Sequence, residues 1–147
     1  MASEFLSLSA VVEHLAGMEI NYETLLKAMR QTVIAETKKG FRDERDPDGV
    51  PWKPLKYPRR NSKGRDRILQ DTGLMRTSVT AQGGQNTDEI GPTWLEWGTS
   101  VPYAKYHQDG TSRIPQRQFL GVGKDLADAV TEQVADFVET EIARIFE

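Results

Sequence analysis

The segment RDPDGVPWKPLKYPRRNSKGRDR, residues 45–67, constrains the fold more than any other part of the chain. Four prolines and two glycines fall within its 23 residues. Each proline fixes φ and removes a backbone N–H, so no long helix or central strand can run through this stretch. Regular structure must lie before it and after it. Pro47-Asp48-Gly49 is turn chemistry: proline presets φ and glycine closes the turn. Trp52 and Leu55 are the expected anchors onto a core. From 53 to 67 there are seven basic residues (Lys53, Lys56, Arg59, Arg60, Lys63, Arg65, Arg67) and one acid, a net +6 in a chain of net −3. With few apolar residues of its own, this part predicts an extended, mobile basic loop.

Before the break, Tyr22, Leu25, Leu26, Met29, Val33 and Thr37 recur at spacings of three and four, which predicts a helix. Asn21 is its expected N-cap, and Gly40 or the residues just after it the expected end. Lys27, Arg30, Glu36 and Lys38 fall mostly off the stripe. Residues 1–20 read as an N-terminal arm or a short helix through Leu6, Val11, Val12 and Leu15, ending at Gly17. After the break, Asp71 or Thr72 can cap a helical turn through Leu74 and Met75. Residues 78–82 read as a strand closed by a Gly83-Gly84 turn. TDEIGPTWLEWGT, residues 87–99, reads as one strand or two short ones, because Gly91-Pro92 interrupts it. Residues 112–116 read as a loop or edge. Residues 124–147 carry the strongest helical pattern, with Leu126, Val130, Val134, Phe137, Val138, Ile142 and Ile145 on one face. Asp125 and Asp128 suit its first turns, where the helix dipole favours negative charge.

This order predicts an α+β fold: a small antiparallel sheet packed against an N-terminal and a C-terminal helix, with a long basic loop. Length suits one domain, taken as residues 21–147. Only 37% of residues are hydrophobic and the mean hydropathy is −0.57. That composition leaves room for arms and loops that do not pack within the monomer. A pI near 5.5 argues against a dedicated nucleic-acid binder. The absence of cysteine removes disulfides, thiolate metal sites and a cysteine nucleophile. Two histidines far apart in sequence give no histidine-rich metal site, so neither metal nor cofactor is expected. No apolar run reaches the roughly 18 residues of a membrane span. The start of the chain has no basic residue before its apolar positions, unlike a secretory signal, so a cytosolic protein is expected.

VPYAKYHQDG, residues 101–110, holds the densest set of chemically capable side chains. His107 could act as a general base with Asp109 or a tyrosine orienting it. Catalysis needs those groups within hydrogen-bond reach, and closeness in sequence does not supply that. A short helix over 102–108 explains every position instead. Pro102 suits its first turn, Tyr103 and His107 share a face at i,i+4, and Gly110 suits a left-handed cap. His107 is therefore read as a packing or hydrogen-bonding residue, and His14 as a helix-face or surface residue. GVGKD, residues 121–125, precedes a helix but lacks the remaining spacing of a phosphate loop. Trp52, Trp94 and Trp97 read as core or interface anchors.

The basic loop has two functional readings. It could neutralise phosphates, with Tyr57 stacking on a base, although one aromatic makes no platform. It could instead meet the acidic C-terminal helix (Asp125, Asp128, Glu132, Asp136, Glu139, Glu141) of a neighbouring subunit.

Four motifs, in order, carry a resemblance: DPDGVPWKPL (46–55), ILQDTGLMRTSV (68–79), PYAKYHQDG (102–110) and RIPQRQFLGVG (113–123). Together they resemble the phage virion morphogenesis family, the tail-completion proteins of Mu-like and related tailed phages and prophages. The resemblance extends over roughly residues 22–147. Gln116 and Gln118 stand where the family pattern has alanine and proline, and EIGPTWLEWGT is longer than its usual hairpin. The resemblance singles out Trp52, Gly73, Tyr103, His107, Gly110, Pro115 and Arg117 as pattern residues in structural roles. It implies a non-enzymatic protein that caps the head-proximal end of the tail or sits at the head–tail junction. The working form would be a homo-oligomeric ring, six-fold to match the tube, touching tail-tube and neck or connector proteins. DNA would pass through without being specifically bound, which favours a protein neighbour as the basic loop's partner. The expected location is the virion tail or neck, with assembly in the host cytoplasm.

Overall fold

The computed structural model describes residues 13, 16–57 and 66–147. Expectations placed on Leu6, Val11, Val12, His14, Leu15, Arg59, Arg60, Lys63 and Arg65 lie outside the described residues. Glu13 and Ala16 are helical, and the Gly17 N–H donates to the Glu13 carbonyl at 3.1 Å.

The fold is α+β. Helix α1 spans Glu23–Asp43. The Asn21 carboxamide oxygen accepts the Glu23 N–H at 2.9 Å, so it serves the first turn from one position further out than a standard cap. The helix ends just after Gly40, the second of the two expected ends: Gly40 itself stays helical, and the chain turns at Glu44, which is left-handed at φ 54°. The extra turn brings Phe41, fully buried, into the core. The inward row is Leu26, Arg30, Ile34, Thr37 and Phe41, at spacings of three and four. Arg30 therefore lies on the packed face, where it pairs with Asp88 at 3.2 Å.

Helix α2 spans Leu74–Thr80 and replaces the strand expected at 78–82. Two of its hydroxyls are satisfied within the helix by bonding back to the preceding turn. Ser78 Oγ donates to Met75 O at 2.6 Å and Thr80 Oγ1 to Arg76 O at 2.8 Å. Gly73, left-handed at φ 81°, starts the helix, and Thr72 Oγ1 accepts the Leu74 N–H at 3.3 Å. The strands β1, Asn86–Ile90, and β2, Leu95–Thr99, form one antiparallel hairpin with Asp88 opposite Trp97. Its four-residue connection holds Gly91 and Pro92, so the interrupted pattern resolves as two short strands. The hairpin is fastened to α2 by polar groups: Trp97 Nε1 donates to Val79 O at 3.0 Å, and Asn86 Nδ2 to Ser78 O at 2.9 Å. Helix α3 spans Ala104–Asp109.

Helix α4 spans Lys124–Ile145 and packs along α1 rather than on the hairpin, whose helical cover is α1 and α2. Lys39 meets Asp125 at 2.7 Å, Gln133 Nε2 donates to Thr32 Oγ1 at 2.7 Å, and the Tyr22 and Phe137 rings lie 5.7 Å apart. The two helices thus run antiparallel. At the start of α4 a Cβ on Gly123 would stand 1.7 Å from the Pro47 carbonyl oxygen. Only glycine lets the turn at 46–49 and the helix start touch backbone to backbone.

Candidate functional site

The four sequence motifs meet around one cluster. Trp52 comes from the first, Ile68, Leu69, Met75 and Val79 from the second, Ala104 from the third and Phe119 from the fourth, closed by Phe41 and Val101. The turn at 46–49 aims the first of these. Asp46 Oδ1 accepts the N–H groups of Asp48 and Val50 at 2.9 and 2.8 Å, and Gly49 is left-handed at φ 82°. Trp52 then enters the core edge-on to Phe41, with ring centroids 5.3 Å apart, and its Nε1 donates to Gln118 O at 2.8 Å.

Arg117 ties the motifs together. It is buried at 7% exposure. Its Nε donates to Lys53 O at 2.7 Å and its Nη2 to Pro54 O at 3.0 Å, while its backbone N–H donates to His107 O at 2.8 Å. A buried guanidinium is costly unless its donors are satisfied, and two of its five donors go to these carbonyls. The result is a clamp that fixes the root of the basic segment against α3.

His107 packs edge-to-face on Tyr103, with centroids 6.3 Å apart at 89°. Burial, and then the neighbouring Arg117 charge, hold its pKa below the ordinary histidine value, so the imidazole is neutral at pH 7. Its Nδ1 is buried with no hydrogen-bond partner. An open cleft of about 420 Å³ lies beside it, walled by Leu55, Leu69, Asp71, Tyr103, His107 and Arg117. Gly110 adopts φ 74° and ψ 164°. This is not the left-handed cap expected for it but an extended positive-φ state that glycine alone adopts readily. It lets the chain fold back so closely that a Cβ would lie 2.8 Å from Gln116 N. Pro115 sits half-buried in the returning loop, which Thr111 closes by accepting the Ile114 N–H on Oγ1 at 2.9 Å.

The three described basic residues of the segment, Lys53, Lys56 and Arg67, do not form one group. Lys53 and Lys56 are exposed, and Lys56 stands 5.5 Å over the Tyr57 ring. Arg67, still exposed, reaches back to the end of α1, where Nη2 donates to Arg42 O at 2.6 Å and Phe41 O at 3.2 Å. There it answers the negative end of the helix dipole.

One organising side chain escaped the sequence reading. Gln108 Oε1 accepts the N–H groups of Phe119 and Leu120 at 3.1 and 3.2 Å, and its Nε2 donates to Leu120 O at 2.6 Å. It acts as a one-residue strand partner for the 118–120 segment. A glutamine on a short helix gives no sequence signal of that role.

The polar groups of the site hold chain segments in place, and the segments they hold project charge outward. The chain belongs to the phage virion morphogenesis family, whose profile matches residues 4–139. No curated protein and no solved structure matches it. Its role is that of a phage structural protein in virion morphogenesis. Among the described residues no helix is long and apolar enough to cross a membrane.

Proposed function

We propose that this protein completes or caps the head-proximal end of the tail and helps join tail to head, working as a closed homo-oligomeric ring, six-fold to match the tail tube. One observation carries the reading. Opposite charges stand on separate parts of the chain: exposed Lys53 and Lys56 on a segment whose root Arg117 holds, and the acidic α4 with Asp128, Glu132, Asp136 and Glu139 exposed. Two complementary surfaces at different places on one chain favour heterologous head-to-tail contacts, which close into rings when the rotation permits. Tight phosphate binding in a DNA channel would hinder DNA passage, so the basic segment faces a protein neighbour. In this setting Tyr103 and His107 contribute to the subunit's packing rather than to chemistry.

The test joins particle mass and negative-stain images with the triple reversal Arg59→Glu, Arg60→Glu, Arg65→Glu. Rings that weaken or vanish in the variant are expected. Normal assembly with lost, steeply salt-dependent DNA binding would instead favour a nucleic-acid-binding protein acting through the 53–67 loop.

A further inference from the structure

Helix α4 leaves a row of large apolar side chains in solvent. Val134 is 39% exposed, Val138 47%, Ile142 48% and Phe146, just past its end, 62%. They are spaced four apart, and such a row rotates by about 40° per step around a helix. The row therefore winds off the face that meets α1 through Leu126, Gln133 and Phe137. Beyond Phe137 the helix also runs past the start of α1, whose flanking Tyr22 makes the last ring contact. Its final eight residues extend about 12 Å further. The ridge is bordered by acids. Residues 131–147 carry five carboxylate side chains (Glu132, Asp136, Glu139, Glu141, Glu147) and one base, Arg144.

We infer that this apolar ridge is the seat for a second copy of the chain, which presents its segment of residues 53–57. The inference rests on the ring reading and names its contact. Two α4 ridges facing each other would bring like charges together, which opposes symmetric pairing. The N-terminal segment has the same defect, with Glu4, Glu13 and Glu19 and no lysine or arginine among residues 1–20. Residues 53–57 have the matching chemistry. Tyr57 is 72% exposed, and Lys53 and Lys56 flank it in solvent. The segment is also pre-organised: Trp52 and Arg117 fix its root, so less ordering cost falls on binding. A tyrosine laid on valine and isoleucine, with lysines reaching the bordering carboxylates, is a small aromatic anchor with a charged rim.

The chain has no cysteine, so designed cysteines report directly. Single variants Tyr57→Cys and Val138→Cys, mixed and mildly oxidised, are expected to give a disulfide-linked dimer that neither gives alone. Ile142→Asp, at a position already exposed in the monomer, is expected to weaken self-association about tenfold or more with unchanged monomer melting. Self-linking of Val138→Cys alone would overturn the inference in favour of symmetric α4 pairing. Loss of the mixed product when residues 1–15 are kept, with its return when they are deleted, would assign the ridge to the N-terminal segment. Rings without the mixed cross-link overturn the seat and leave the ring reading standing. A chain monomeric at every concentration, with no cross-link, overturns both.

Discussion

Helices α1 and α4 are nearly equal in length, 21 and 22 residues, and each has a well-defined apolar stripe. α4 is the more apolar of the two, yet α1 buries Leu26, Ile34, Thr37 and Phe41 while α4 buries Leu126 alone. The difference lies in what surrounds them. α1 is gripped on several sides by α2, the hairpin and α4, whereas α4 has its contacts along α1 and one face toward water. Amphipathicity marks a helix as having something to cover. It does not say whether the cover is in the same subunit.

The comparison can be broken most forcefully at Phe41. Phe41→Ala removes a fully buried ring that touches Trp52 and Phe119, and is expected to cost about 3–5 kcal/mol in denaturant unfolding. The matching truncation on α4, Ile142→Ala, should stay within about 0.5 kcal/mol in the monomer. Equal losses would mean that α4 is a core helix after all. A smaller effect is expected from Arg117→Met, which strips two charge-assisted hydrogen bonds from the carbonyls of Lys53 and Pro54. A loss of about 2–3 kcal/mol should appear in unfolding, with faster proteolysis just after Trp52. Unchanged cleavage there would show that the clamp does not order the basic segment.

The smallest effect is the titration of His107. Its folded pKa lies below the ordinary value, so the unfolded chain takes up the proton first. The stability this represents is present above the ordinary histidine value of about 6.5 and is lost as pH falls below it, until the folded imidazole also takes up its proton. His107→Gln should flatten the melting-temperature profile in that window. An unaltered slope would mean that another group causes it.

Much of this architecture was legible in residue pattern. The apolar periodicity placed both long helices, turn chemistry placed the 46–49 bend, and Trp52 was recognisable as an anchor. What was hidden depended on partners distant in sequence. Residues 78–80 favour a strand by local propensity, and the Trp97 and Asn86 side chains that meet the Val79 and Ser78 carbonyls support the helical alternative from a distance. Of the two expected ends of α1, the residues just after Gly40 are the actual one, and what sequence did not show is why a glycine sits inside the helix. Here a Cβ would lie 3.2 Å from Arg45 O, so the glycine admits the chain crossing over it. Arg67 was read with the other cations of its loop, and nothing local distinguishes it from them. The end of α1, which it caps, lies some 25 residues away in sequence.

The contact between Gly123 and the Pro47 carbonyl has a geometric consequence. The turn at 46–49 leads directly into the basic segment, and Gly123 precedes α4, so this joint lies between the two surfaces of the proposed contact. In the ring proposed above, the angle between those surfaces would fix how many subunits complete the circle. A side chain wedged into the joint would add the same small rotation at every subunit. Such an error accumulates around the circle until the last copy no longer meets the first, leaving a spiral or an open arc instead of a ring.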